Sequence, residues 1–249
     1  MKKKTAMSGV YFCLAIVWFM LALNGFRDNS TMKYTYLALG AMWTCIGATY
    51  LGHEEKSDAT IKYYNRNAAA YTAETENLDM SGCREKFLAY VPEGGLILDW
   101  GCGCGRDSLA FLNDGYQVEA VDGSVEMCSI AGAKLGREVK CNLFDDLDEK
   151  NKYDGIWASA SLLHVEKEFL PDTLRKARAA LKLNGVMYIS FKYGEYEYKR
   201  DDRYYVDMTE VKLGKLLNGI GKLEILQQWV TEDSNHDNKW INVILRRTA

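Results

Sequence analysis

Leu96-Ile97-Leu98-Asp99-Trp100-Gly101-Cys102-Gly103-Cys104-Gly105-Arg106-Asp107 is a short apolar run, then three alternating glycines, then a charged pair. The turn residues Pro92-Glu93-Gly94-Gly95 stand ahead of it, so the run predicts a buried strand. Asp107 to Leu112 predicts a helix. The glycines therefore lie in a strand-to-helix loop, the context in which a glycine pattern carries meaning. Glycine lets a backbone turn sharply and come close to a ligand. The spacing is not the dinucleotide fingerprint G-x-G-x-x-G. The third glycine arrives one residue early, at Gly105, and Arg106 occupies its place. Asp99, two residues before Gly101, would repel a pyrophosphate and suits a cationic, amino-acid-like ligand.

Outward from this loop, strands and helices alternate. Ile61 to Val91 reads as helices, Gln117 to Val121 as a strand and Ser124 to Leu135 as a helix. Strands are predicted over Val139 to Phe144 and Tyr153 to Ala158. A helix is predicted from Pro171 to Leu183, with its proline near the first turn and Asn184-Gly185 at its end. Val186 to Phe191 is a strand, Thr209 to Leu217 a helix, and Leu223 to Val230 and Trp240 to Leu245 are final strands. The alternation predicts an α/β fold, Rossmann-like and doubly wound, on a mostly parallel seven-stranded sheet. The last two strands have no helix between them and can pair antiparallel. Asp122 ends the second strand, 21 residues after Gly101. A carboxylate there can accept both hydroxyls of a ribose; the plainer alternative is that Asp122 only opens a turn with Gly123 and Ser124.

Asp99-x-Gly101-x-Gly103-x-Gly105 with Asp122 resembles the cofactor-binding motifs of class I S-adenosylmethionine-dependent methyltransferases. Phe144-Asp145-Asp146-Leu147 stands where these enzymes hold adenine. Tyr153 to Val165 resembles their fourth strand and following loop, and Leu181-Lys182-Leu183-Asn184-Gly185 stands where the family often has L-K-P-G-G. The resemblance covers about Ile61 to Arg247 and speaks to the cofactor more than to the substrate. Ser190 to Glu195, Asp202 to Tyr205 and Trp240 to Asn242 are similar to small bacterial methyltransferases of the tellurite-resistance-related type. Tyr196 and Asp202 stand where that subgroup would have glycines.

The resemblance implies that S-adenosylmethionine is the cofactor. Asp99, Gly101, Cys102, Gly103 and Gly105 then hold its methionine end, Asp122 and Gly123 its ribose, and Phe144 and Asp145 border its adenine. Ser159 lies near the methyl. His164 is the histidine placed to orient or deprotonate an acceptor, or else a structural loop residue. Arg106, Lys192, Tyr193, Arg203 and Tyr204 form a candidate acceptor pocket suited to an anionic or polar molecule; the alternative is a solvated loop. A nucleotide-binding oxidoreductase on the same sheet and a catalytically inactive adenosyl-cofactor-binding module are the competing functions.

The first sixty residues differ in kind. Met7 to Phe26 is 20 residues without a charge, and Tyr34 to Gly52 is 19. A helix of about 20 apolar residues spans a hydrocarbon core of ~30 Å. The two runs, joined by Arg27 to Lys33, predict a transmembrane hairpin over residues 1–53, a polar linker over 54–60 and a catalytic domain over 61–249. Trp18, Tyr34, Tyr36, Trp43 and Tyr50 supply interfacial aromatics. Lys2, Lys3 and Lys4 before the hairpin and Lys56, Lys62 and Arg66 after it place both ends, and the catalytic domain, on the cytoplasmic face of the cell membrane. A secretory signal lacks a convincing cleavage site here. Two buried helices of a soluble domain would show polar periodicity, which neither run has.

Net charge is -3, and no long Lys or Arg run is present, so a nucleic-acid partner is not expected. The acceptor is expected to be a small-molecule or lipid-like compound. Seven cysteines form no disulfide ladder, and Cys102-Gly103-Cys104 lacks a second pair at zinc spacing, so no metal site is expected.

Overall fold

The computed structural model describes residues 2–27, 32–232 and 239–249, with backbone alone for 2–8, 27 and 49–58. The chain divides into two compact units, Met1–Ala59 and Thr60–Ala249.

In the first unit, α1 (Lys2–Arg27) packs against the leading part of α2 (Lys33–Thr75). Tyr11 stacks on Trp43 with ring centroids 5.6 Å apart, and Trp18 meets Tyr36 at 5.8 Å. A Cβ on Gly47 would lie 3.2 Å from Phe12, and one on Gly40 would lie 3.1 Å from Phe19. As the α1 partner moves forward the α2 partner moves back, so the pair is antiparallel. Glycine at these two contacts lets aromatic rings seat against the facing backbone. The outer side of α1 is apolar and exposed at Val10, Ile16, Val17, Met20 and Leu23. Among the described residues, Gly9–Phe26 alone is long and apolar enough to cross a membrane. The connecting turn at 28–31 and the side chains of Lys2, Lys3, Lys4, Arg27, Tyr50 and Lys56 lie outside the described residues.

The expected linker over 54–60 is helical backbone inside α2. Glu54-Glu55-Lys56-Ser57-Asp58-Ala59 contains neither glycine nor proline, so polarity alone does not break the helix.

The second unit carries the alternation read from the sequence. After α3 (Ser81–Leu88) come β1 (Leu96–Trp100), α4 (Arg106–Asn113), β2 (Gln117–Asp122), α5 (Val125–Leu135), β3 (Lys140–Cys141) and β4 (Tyr153–Ala158). Then follow α6 (Leu170–Ala180), β5 (Leu181–Lys192), β6 (Glu197–Arg200), β7 (Arg203–Val206), α7 (Glu210–Ile220), β8 (Leu223–Glu232) and β9 (Lys239–Arg247). The seven-stranded sheet has the order β3-β2-β1-β4-β5-β9-β8. β1 pairs parallel with both β2 and β4, and β9 runs antiparallel to β5 and β8. The strand order reverses between β1 and β4, which opens a crevice beyond their carboxyl ends.

Three local expectations fail for physical reasons. β3 keeps only two residues of the expected Val139 to Phe144, because Phe144–Asp146 forms a 3-10 turn in which the Asp146 carboxylate accepts the Leu143 N–H at 2.9 Å. α6 stops at Ala180 and Leu181 is already strand: Asn184 takes a positive φ of 64° inside β5. The loop after Lys192 contains a hairpin, β6–β7, turned by Asp201 and Asp202 with φ of 51° and 64°. Paired positive φ is the signature of a tight hairpin turn, here made by two aspartates in place of the usual Asn-Gly.

Candidate functional site

The loop after β1 is held by backbone and carboxylate together. Gly101, Gly103 and Gly105 take φ of 87°, 54° and 78°, a region that costs other residues roughly 1–2 kcal/mol each. Gly101 and Cys102 donate N–H groups to the Val121 carbonyl at 2.8 and 3.0 Å, tying the loop to the end of β2. A Cβ on Gly101 would lie 2.5 Å from that of Ser161, whereas one on Gly103 would meet nothing within 4 Å. Gly101 is thus closed in by protein, and Gly103 has open space on its bare side.

Asp122 does more than open a turn. Its Oδ2 accepts the Gly103 N–H at 2.9 Å and its Oδ1 accepts the Ser124 N–H at 2.8 Å. Burial raises its pKa, against the lowering effect of these N–H groups. Each oxygen retains a further lone pair, so the carboxylate can still accept a hydroxyl. Asp99 is buried, with Oδ2 accepting the Ser108 hydroxyl at 2.6 Å. Burial first, and the nearby Asp107 second, push it up to about 7. Such a carboxyl gains its charge readily when an ammonium arrives.

Cys102 and Cys104 are buried, and burial raises the Cys102 thiol well above its ordinary value, so it fills space and is not a nucleophile. Gly123 accommodates Ile61 of α2, whose Cδ1 would lie 2.6 Å from an added Cβ. Phe144 stacks edge-on against Trp100 at 5.0 Å and approaches Gly101, which places it beside the loop. Asp145 turns toward α6, its carboxylate 3.4 Å from the Lys176 ammonium. Ser159 follows the end of β4, partly buried, one residue before Ala160, which carries a positive φ of 48°. That strain is held by the Ala160 N–H donating to Ser190 Oγ at 2.8 Å. A shallow cavity lined by Leu98, Trp100, Val121, Leu143, Asp146 and Tyr153 lies under the 3-10 turn and reaches none of the loop glycines.

The expected acceptor residues separate. Arg106 belongs to the loop: its guanidinium bonds Asp107 at 2.7 Å and the Thr75 carbonyl at 3.1 Å. Asp107 also receives Arg84 at 2.8 Å and the Trp157 indole N–H at 3.0 Å. Burial raises the Asp107 pKa, but Arg106, Trp157 and Arg84 together bring it below its ordinary value. Tyr193 turns to the surface, where its hydroxyl donates to Glu210 at 2.7 Å. Tyr204 sends its hydroxyl to Glu197 at 2.6 Å. Its neighbour Tyr205 faces the site, because successive strand residues point to opposite faces. Arg203 shares the face of Tyr205, its guanidinium 5.4 Å from that ring. Lys192 Nζ stands 4.5 Å from the same ring.

His164 has both ring nitrogens engaged. Nδ1 lies 2.7 Å from the Tyr204 carbonyl, which can only accept, so Nδ1 carries the proton. Nε2 then accepts the Tyr64 hydroxyl at 2.8 Å. Burial lowers the imidazole to about 4 despite the Tyr204 carbonyl. His164 is therefore a neutral orienting group for Tyr64 and not a free base. Tyr64 in turn packs on Tyr71 at 5.1 Å.

Sequence reasoning missed Tyr64, Tyr71, Asn65 and Ser161. Asn65 accepts the Ser124 hydroxyl at 2.7 Å, and Ser161 donates to the Trp100 carbonyl at 2.8 Å. Tyr64 and Tyr71, seven apart, lie on one face of α2. That spacing was visible as helix periodicity but carried no hint of a partner 100 residues away.

Residues 97–185 match a family described as a methyltransferase domain. The N-terminal Xaa-Pro-Lys N-methyltransferase 1 of Rattus norvegicus is 29% identical over 127 residues, which covers 45% of this chain and 57% of that protein. The chain thus spans little more than half the length of the curated relatives it matches. The 1,6-didemethyltoxoflavin-N1-methyltransferase of Burkholderia thailandensis, solved with its substrate and S-adenosylhomocysteine, superposes with a TM-score of 0.65 at 23% identity. That match covers 78% of this chain and 87% of the other. TehB from Haemophilus influenzae superposes at 0.56 with 16% identity, covering 72% and 66%. The seven-stranded α/β fold is shared with these methyltransferases of known structure, and the sequence match over residues 97–185 is to a methyltransferase domain.

Proposed function

We propose that this chain is a membrane-anchored methyltransferase that moves a methyl group from S-adenosylmethionine to a small or membrane-associated acceptor. The observation that carries the reading is the carboxylate of Asp122, fixed by the Gly103 and Ser124 N–H groups at the carboxyl end of β2, the strand beside β1. The residues present fit the cofactor: an open side at Gly103, a poised carboxyl at Asp99 and a ribose acceptor at Asp122. When bound, S-adenosylmethionine supplies an electrophilic methyl, which the acceptor's lone pair takes while the carbon–sulfur electron pair stays on sulfur. The chain's own work is alignment and the exclusion of water. Asp99 neutralises the amino group, Asp122 holds the ribose and Phe144 walls the adenine. Tyr64, oriented by His164, borders the acceptor side.

The hairpin of α1 and α2 serves as a membrane anchor in this reading, supported by the exposed apolar side of α1 and the antiparallel aromatic seam. Membership of the tellurite-resistance-related subgroup and a cytoplasmic catalytic face belong to the same proposal. The glycine spacing argues against an oxidoreductase.

The test is transfer of label from methyl-labelled S-adenosylmethionine into a membrane extract by the purified full chain. Wild type labels an extractable product, and Asp122→Ala lowers the rate at least ~100-fold, as loss of a positioning contact does. Equal labelling by both proteins, or none by wild type on any extract, refutes the reading.

A further inference from the structure

We infer that Arg203 and the tyrosines around it form the acceptor subsite, and that it takes a planar, negatively charged molecule such as an aromatic carboxylate. This rests on the methyltransferase reading and names its substrate class. The guanidinium carbon of Arg203 stands 4.0 Å from the Tyr63 ring centroid, with Tyr205 at 5.4 Å and Tyr64 at 5.9 Å. The side chain is only 14% exposed, and its Nε–H is buried without a hydrogen-bond partner. Burying an unmet donor on a cation is costly unless a ligand answers it. The carboxylate that approaches it, Asp201, stands 3.5 Å away on the exposed hairpin turn, too open to neutralise it.

The charges facing this cluster add to the bias. Lys192 brings a second cation to Tyr205, while Asp207 faces Lys192 and Lys212 and is in part neutralised by them. Tyr64 links the subsite to His164 in the turn after β4, and Tyr71 connects it toward Asp122 and Arg106 on the cofactor side. A fork of guanidinium donors matches a carboxylate in one plane, and tyrosine faces match a flat ring. A cationic peptide terminus would meet Arg203 and Lys192 as like charges, so an Xaa-Pro-Lys acceptor does not fit.

The experiment is calorimetry on the full chain in detergent, first saturated with S-adenosylhomocysteine. It is then titrated with 4-hydroxybenzoate or quinoline-2-carboxylate, each compared with its neutral carboxamide, and with an Xaa-Pro-Lys peptide. We expect the carboxylates to bind at least tenfold tighter than the carboxamides. Arg203→Gln should bring that ratio near one while leaving S-adenosylhomocysteine affinity within twofold and the melting temperature close to wild type. Arg203→Lys, which keeps the charge but loses the fork, should retain part of the preference. Equal binding of acid and amide, binding of the peptide in preference, or no binding of any carboxylate overturns the proposal. A loss of the preference accompanied by equal loss of S-adenosylhomocysteine binding also overturns it, because Arg203 would then serve the cofactor. No heat with S-adenosylhomocysteine in wild type overturns the methyltransferase reading itself and the subsite with it.

Discussion

The loop after β1 and the tyrosine cluster facing Arg203 are built in opposite ways. The loop is local: Asp99 to Ser124 supply its glycines, both carboxylates and nearly every bond that shapes it. The cluster is assembled at long range from α2, the turn after β4 and the β6–β7 hairpin, with the Thr60 hydroxyl accepting the Tyr204 N–H across 144 residues. In the loop the N–H groups of Gly101, Cys102, Gly103 and Gly105 are met within the protein, whereas the cluster leaves a buried guanidinium donor unmet. A site with its bonds complete fixes a constant ligand. A site with one bond outstanding is selected by whatever completes it. On the proposed function, cofactor recognition and acceptor recognition are separable in this molecule.

Breaking the loop should have the largest effect. Gly101→Ala forces a Cβ to within 2.5 Å of Ser161 at a φ of 87°, so both collision and backbone strain oppose it. The expected outcome is a destabilisation of about 2–4 kcal/mol, with S-adenosylhomocysteine binding lost. Gly103→Ala meets no protein atom and carries only the cost of its φ, about 1–2 kcal/mol, yet should weaken the ligand, which on the proposed function lies against its open side. Thermal melts with and without S-adenosylhomocysteine separate the two. Equal loss of stability in both variants would contradict the distinction.

Altering the cluster should leave the loop intact and change the response to acid. His164 is held neutral down to about pH 4, whereas an unfolded histidine takes up its proton near 6.5. Between those values the unfolded state binds more protons, so stability falls as pH drops, by at most about 1.4 kcal/mol per pH unit from this group. His164→Asn should lose that contribution and show a shallower fall in melting temperature from pH 6.5 to 4.5. Its S-adenosylhomocysteine affinity at pH 7.5 should match wild type within a few-fold. An unchanged acid slope would show that His164 is not buried as a neutral group.

The same contrast explains what could be read in advance. β1, β4 and the Asp122 strand end were legible because apolar runs, glycine spacing and a carboxylate at a fixed distance are local signals. The antiparallel edge followed from two strands with no helix between them. The β6–β7 hairpin was hidden because Arg200-Asp201-Asp202-Arg203 lacks the usual turn glycine, and the long, strained β5 masqueraded as a helix end at Asn184-Gly185. Tyr204 was chosen over Tyr205 because strand phase was unknown until the hairpin was placed. His164 stood out in the sequence, but its partner Tyr64 sits 100 residues away and no local pattern joins them. The hydrophobic N-terminal run was plain in sequence, and the aromatic seam with α2 became visible only when the two helices were paired.

The most direct measurement is calorimetric titration of S-adenosylhomocysteine into the intact chain at pH 7, repeated in buffers of different ionisation enthalpy. Saturable binding is expected with net release of protons, because Asp99, pushed up to about 7 by burial, becomes fully charged against the ligand's ammonium. Asp99→Asn should bind more weakly and release none. No saturable heat from wild type would contradict the account, and binding without proton release would remove Asp99 from the ammonium site.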